Sequence, residues 1–245
     1  MKEVFVTTFN EKLHNSYAKQ LIESYLNHNH DIPLIVYHED KFNIKYQSNM
    51  VSFINLFDEE PDCKLFVERN KDKVVTKFFK DAVRFCYKVY AQKAATRFAD
   101  KIYYVDSDSV FIKEMNAEAR LRLLPENVFI SFYDRPSQYT ETGFLGFNTF
   151  NKELSNNFFN HYSNYYKNDT VYNLEAQTDC HTLDATRQRF MNREHYKEKK
   201  LGDGKGGHIM ARCRLIHPYL DHRKVKRKEK TNSPEWIQYR HRYGG

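Results

Sequence analysis

The sequence predicts an α/β fold: a mixed, mainly parallel sheet with helices on both faces, in a single domain. Three observations lead there. Short apolar runs alternate with stretches of helical periodicity from the amino terminus onward, the pattern of strand–helix–strand units with parallel sheets. A wholly apolar run at 102–105 reads as a strand buried on both faces, as parallel strands are. The chain of 245 residues, 40% hydrophobic and 16% aromatic, is long enough for one large core and too apolar to be disordered.

Residues 4–9 form the first predicted strand. Over 13–26, Leu13, Tyr17, Leu21, Ile22, Tyr25 and Leu26 recur at helical spacing. A second strand follows at 32–37, with Pro33 tolerated near its start, and a third at 51–57. Residues 76–99 predict a long helix. Its apolar face carries Phe78, Ala82, Phe85 and Val89 with Phe79, Cys86 and Tyr90. Lys77, Asp81, Arg84 and Lys88 share another face at spacings that suit internal ion pairs. After the strand at 102–105 comes a second apolar run at 110–112. A short helix at 115–124 is stopped by Pro125, and strands are expected at 128–132 and 144–150. The loop 133–142 between them holds Asp134, Arg135 and Glu141. Residues 154–166 predict an aromatic helix, and 178–191 another, capped by Thr178 or Asp179. Four glycines within 202–207 mark a turn or flap. No internal repeat and no linker divides the chain, which reads as one domain in two halves, 1–115 and 116–245.

Eighteen Tyr and nineteen Phe against one Trp exceed what a core needs, so many rings are expected partly exposed or lining a cleft. Cys63, Cys86, Cys180 and Cys213 show no Cys-x-x-Cys and read as scattered reduced thiols. The amino terminus lacks the apolar core of a signal peptide, and no run approaches the ~18 apolar residues of a membrane span. A soluble cytoplasmic protein is the expectation. The formal charge is +7, and residues 223–230 hold six basic residues and one acid. That run fits a solvated tail, or a clamp for a diphosphate, a phosphorylated acceptor, a membrane surface or nucleic acid.

The chemistry concentrates where the run at 102–105 meets Asp106-Ser107-Asp108. Open α/β sheets bind ligands at the carboxyl ends of their strands. Two carboxylates against an apolar strand need a cation or hydrogen-bond donors to neutralise them. Oxygen-only ligands suit Mg²⁺ or Mn²⁺, which keep coordination positions open for phosphate oxygens. Asp-Ser-Asp is also ordinary turn chemistry; its place at the end of a buried strand favours the ligand role.

The segment Tyr103-Tyr104-Val105-Asp106-Ser107-Asp108-Ser109-Val110-Phe111 resembles the Asp-x-Asp signature of GT-A glycosyltransferases. Glu141-Thr-Gly-Phe-Leu-Gly-Phe-Asn148 resembles the strand that lines the sugar and acceptor pocket in glycogenin-like and lipopolysaccharide glycosyltransferases. Pro218-Tyr-Leu-Asp-His222-Arg-Lys224, followed by Arg227-Lys228, resembles the family's late His-plus-basic segment. The glycines usual between that His and its basic partner are absent here, and His217 is a second candidate ligand.

The resemblance implies a GT-A (Rossmann-like) fold and a metal-dependent glycosyltransferase. It implies Mn²⁺ or Mg²⁺, a nucleotide-sugar donor (a UDP-sugar first), and an acceptor hydroxyl on a glycan; the net positive charge and the expected lack of a membrane anchor add a polyanionic acceptor, modified DNA among them. Residues 1–115 would be the nucleotide-binding half and 116–245 the acceptor half. The metal ligands would be Asp106, Asp108 and His222, with Asp106 also reaching the donor. His222 is preferred because Lys224, Arg227 and Lys228, the phosphate-clamp candidates, cluster beside it; His217 reads as the cap of a strand at 215–216. Arg84, then Lys88, would aim at the nucleotide, and Thr7, Thr8 and Asn10 would seat the nucleoside. Gly143 and Gly146 would let the backbone approach the sugar, while Asn148 has a structural or a functional role. Asp179 and Glu141 are the carboxylates available as general base. Two other classes remain open. A nucleotidyltransferase would carry a Gly-rich basic loop where this chain has Thr7-Thr-Phe-Asn-Glu11. A nucleic-acid-binding module would leave Asp106-Ser-Asp108 unexplained.

Overall fold

The computed structural model describes residues 1–39, 42–44, 46–135, 138–202, 209–223 and 236–239. Nine strands are described: β1 (Glu3–Thr8), β2 (Leu34–His38), β3 (Val51–Asn55), β4 (Lys101–Val105), β5 (Ser109–Phe111), β6 (Ile130–Tyr133), β7 (Glu141–Asn148), β8 (Glu198–Lys200) and β9 (Leu220–His222). Seven of them form one sheet in the order β3-β2-β1-β4-β7-β6-β8, and β5 pairs with β9 apart from it. β3, β2, β1 and β4 run parallel. β7 is antiparallel to both β4 and β6, and β8 is parallel to β6. The sheet is mixed and mainly parallel, as the sequence predicts.

Period-two alternation divides the central strands between two cores. Val4, Val6, Ile102 and Tyr104 face one core, covered by the helices Ala82–Ala95 and Lys152–Lys167. Phe5, Tyr103 and Val105 face the other, under Lys19–Asn27 and Ala117–Leu123. Helices therefore cover both faces. All residues of β4 and β7 are buried, which is why these segments carry so few charges.

Several expected elements are corrected by capping. The strand expected at 51–57 stops at Asn55, whose side chain accepts a hydrogen bond from the Phe57 amide and starts the short helix Leu56–Glu59. The helix Pro61–Asn70, with Pro at its first turn, carries no strong apolar periodicity and was not anticipated. The helix expected at 76–99 runs only over Ala82–Ala95, because Asp81 accepts from the Arg84 amide and caps it. Phe78 and Phe79 lie before that cap in a 3₁₀ turn, 64% and 43% exposed, and do not join an apolar helix face. The helix expected at 13–26 opens with Glu11–Leu13 and a π turn, His14–Ala18. Between the two proposed caps of the helix Asp179–Phe190, Thr178 does the capping.

His217 caps no strand. It lies in a turn, its amide donating to the Cys213 carbonyl and its buried ring stacked on Trp236. Most of the glycine-rich segment and the basic residues Lys224, Arg227 and Lys228 lie outside the described residues. No helix among the described residues is long and apolar enough to cross a membrane.

Candidate active site

The site forms just beyond the carboxyl end of β4. The Asp106 amide donates to the Gly143 carbonyl (2.9 Å), extending the β4–β7 ladder by one residue. The chain then turns, with the Ser109 amide donating to the Asp106 carbonyl (3.0 Å). That turn starts β5, which pairs Ser109 with His222 on β9. The Arg223 amide, donating to the Asp108 carbonyl at 2.8 Å, completes the tie between the two segments. A histidine distant in sequence is thus fixed beside the acid pair by backbone pairing.

His222 Nε2 stands 2.9 Å from Asp108 Oδ1 and 3.6 Å from Asp106 Oδ2. Its Nδ1 faces Met210 Sδ at 3.0 Å, and the ring is almost wholly buried. The imidazole occupies the space beside Gly143, where an added Cβ would lie 2.6 Å from His222 Cε1. Glu141, at the start of β7, completes a group with Asp106 and His222 whose donor atoms lie within 4.8 Å of one another. Arg135 sits 3.4 Å from the Glu141 carboxylate.

Lys88 enters from the opposite side on the helix Ala82–Ala95. Its Nζ lies 2.8 Å from Asp106 Oδ1 and 2.8 Å from Asp179 Oδ2, and donates to Thr142 Oγ1 at 3.2 Å. Burial would lower the ammonium's pKa, but the carboxylates of Asp106 and Asp179 outweigh it and hold the group well above its ordinary value. Asp179 is 1% exposed and opens the helix Asp179–Phe190, where the positive end of the backbone dipole favours a carboxylate. Burial, then the Asp179 charge, pushes the neighbouring Cys180 thiol up to about 12. That thiol is no nucleophile at neutral pH.

The remaining predicted residues fall into distinct environments. Arg84, one helical turn before Lys88, is exposed, pairs with Asp81 at 3.2 Å and lies over the Phe78 ring. Lys88 is therefore the one of the two that reaches the acids. Thr7 and Thr8 end β1 beside β4, where the register Val6 to Tyr104 brings Thr8 level with Asp106. Both hydroxyls are buried with no hydrogen-bond partner among the described residues. Asn10 caps Glu11–Leu13, its side chain accepting from the Leu13 amide at 2.9 Å. Gly146 is faced by the Ser131 hydroxyl and Leu124. Asn148 has a structural role: its side chain donates to the Glu126 carbonyl and accepts from the Phe150 amide. Neither His217 nor Asp108 is in the group of Asp106, Glu141 and His222, although Asp108 lies against His222.

Sequence reasoning gave no site role to Thr142, Met210 or Arg135. Thr142 follows Glu141 in the strand motif and was open to notice. Met210 touches His222 only through tertiary packing, and nothing local marks it.

No protein-family model and no curated protein sequence matches the chain. Its fold is similar to that of mouse xyloside xylosyltransferase 1 in its apo form, with a TM-score of 0.50 at 11% identity, covering 82% of this chain and 86% of that one. It also aligns with the apo form of the glycosyltransferase GlyE of Streptococcus pneumoniae TIGR4, at a TM-score of 0.48 and 13% identity over 82% of this chain. The chain spans 45% of the length of GlyE. The galactosyltransferase LgtC in complex with donor and acceptor sugar analogs aligns over 72% of this chain and 68% of its own, at 12% identity and a TM-score of 0.47. At these identities the likeness is one of fold: the chain has the mixed α/β fold of GT-A glycosyltransferases.

Proposed function

We propose that this chain is a metal-dependent glycosyltransferase, moving a sugar from a nucleotide-sugar donor, a UDP-sugar, to an acceptor hydroxyl on a glycan. One observation carries the reading: Asp106, Asp108 and His222 converge at the carboxyl end of β4, with His222 Nε2 2.9 Å and 3.6 Å from the two carboxylates. Around an octahedral Mg²⁺ or Mn²⁺ with bonds of about 2.1 Å, neighbouring ligand atoms stand about 3 Å apart. His222 Nε2 meets each carboxylate near that spacing, the donor atoms within 4.8 Å of one another are those of Asp106, Glu141 and His222, and carboxylate with imidazole is a donor set Mn²⁺ accepts. The bound ion would offset the charge that builds on the departing nucleoside diphosphate.

The protein's own groups take the other tasks. Lys88 orients Asp106, and Asp179, held by Lys88 and almost fully buried, positions that lysine. Glu141 lies against Asp106 and His222 and is the better placed of the two acids to take a proton from the acceptor. We assign Thr7 and Thr8, whose hydroxyls have no partner among the described residues, to seating the nucleoside at the carboxyl end of β1. We assign residues 1–115 to the donor and 116–245 to the acceptor, and Lys224, Arg227 and Lys228 to the diphosphate. Nothing among the described residues speaks for DNA as acceptor.

Thermal shift with UDP, with Mn²⁺ and with both tests the core of the reading. Stabilisation by UDP should require the metal, reaching about 2.7 kcal/mol when free UDP is at 100 times its Kd. Equal stabilisation without metal would overturn it. Glu141→Gln should then lower turnover in a sugar-nucleotide assay while leaving Mn²⁺ affinity close to that of the native chain. Loss of metal binding in that variant would make Glu141 a ligand and not the base.

A further inference from the structure

We propose that residues 71–80 form a docking surface for an anionic lipid membrane, holding the rim of the candidate site against the bilayer. Of the ten exposed large hydrophobic side chains among the described residues, four fall within this segment: Val74 (90% exposed), Val75 (46%), Phe78 (64%) and Phe79 (43%). The others are scattered singly along the chain, the ordinary condition of a protein surface; these four fall within six consecutive residues. Lys71, Lys73, Lys77 and Lys80 are interleaved with them. With Arg84 the segment brings five cations against Asp72 and Asp81 within it and Asp169 and Glu175 beside it; Asp81 is already held by the Arg84 amide and guanidinium, and Asp169 by Arg69 and Asn70.

Beneath the segment lies a cavity of about 400 Å³ whose lining includes Asn70, Lys73, Thr76, Lys80, Tyr172 and Gln177, with Val74, Val75 and Val83 on its apolar side. Lys73 Nζ stands 3.6 Å from the Tyr172 ring centroid, and Lys80 donates to the Glu175 carbonyl at 2.7 Å. The Lys73 and Lys80 ammonium groups beside an apolar-sided cavity suit a phosphate headgroup, while exposed Phe and Val enter the boundary between headgroups and acyl chains. Nucleic acid would use the lysines and could stack on the phenylalanines, but it offers nothing to Val74 and Val75. Charge and apolar exposure together therefore select the lipid surface.

The location gives the patch its purpose. The helix Ala82–Ala95 begins where the segment ends and delivers Lys88 to Asp106 after six residues, a rise of about 9 Å. The Gln177 amide donates to the Phe79 carbonyl at 2.8 Å, tying the segment to the chain just before Asp179. The patch thus lies within about two helical turns of the acidic site. The inference needs no particular chemistry at that site.

The test uses the full chain with phosphatidylcholine vesicles, with and without phosphatidylglycerol. Co-sedimentation should require phosphatidylglycerol. Lys77→Gln should weaken it about fivefold, the effect of one lysine near an anionic surface. The double variant Phe78→Ser with Phe79→Ser, which leaves the charge unaltered, should weaken it at least about tenfold. Phe78→Trp should show an emission blue shift on binding that the native Trp236 alone does not. Phe78 packs edge-on against Phe85 (5.2 Å), so if the double variant melts early, Val74→Ser replaces it. Three results would overturn the proposal: no binding to phosphatidylglycerol vesicles, undiminished binding by the serine variant, or unshifted Phe78→Trp emission from vesicle-bound protein. The last two would assign binding to another basic surface, and salt-sensitive binding to duplex DNA without vesicle binding would make nucleic acid the partner.

Discussion

Replacing Lys88 by Met should expose how the acid centre is held together. The lysine side chain is 15% exposed and bridges Asp106 and Asp179, each at 2.8 Å. Asp106 keeps 21% of its side-chain surface in contact with solvent; Asp179 keeps 1%. Truncation therefore leaves one carboxylate nearly dry and without its cation. Breaking a buried pair from one side costs about 3–5 kcal/mol, mostly through the stranded charge. Urea unfolding at pH 7 should register a loss of that size. Asp179→Asn in the same chain should recover much of it, giving a coupling of about 2 kcal/mol in a double-mutant cycle. A loss under about 1 kcal/mol would refute the account of Lys88 as the counter-charge of Asp179.

The other expectations follow from the same geometry. Asp108→Asn should abolish metal-dependent transfer while leaving the melting temperature unchanged or slightly raised, since it removes one of two adjacent carboxylates; unchanged turnover and Mn²⁺ dependence would end its assignment as a ligand. His222→Ala should weaken Mn²⁺ binding in calorimetry by at least the ~10–100-fold known for groups that only orient a ligand, with His217→Ala far milder. The reverse order would show the acid cluster to be misassigned. His30 is buried, stacked on Tyr25 at 4.8 Å, and neither ring nitrogen has a hydrogen-bond partner among the described residues. Burial, with the nearby charges of His28 and Arg120, lowers its pKa from 6.5 to about 4. The unfolded chain binds that proton first, so stability should fall as pH drops from 6.5 to 4, by about 3 kcal/mol in all. His30→Phe should remove that share of the slope in unfolding titrations; an identical slope would place its origin in other groups.

Much of the fold was legible because it is written locally. The contiguous apolar runs of β1 and β4, the second ending at Asp106, are properties of a few consecutive residues, and burial on both faces follows from them. A carboxylate pair ending such a strand points to a cation by charge alone. Boundaries were less legible where one side chain decides them: Asp81 accepting from the Arg84 amide moved a helix start and turned Phe78 and Phe79 outward to solvent. Which basic residue of the helix reaches the acids was not legible either, since the choice between Arg84 and Lys88 depends on the helix's position against the sheet, which no spacing encodes.

The sequence by itself determined the parallel half of the sheet, the two-sided core and the acidic turn after β4, because short-range pattern and the cost of burying charge suffice for these. Only the tertiary structure decided that β7 enters antiparallel between β4 and β6, and that the β5–β9 pairing carries His222 to Asp108. It alone brought Lys88, Asp179 and Thr142 to one point. Those contacts join segments far apart along the chain, and their geometry is fixed by backbone hydrogen bonds and packing whose partners cannot be known until the chain has folded.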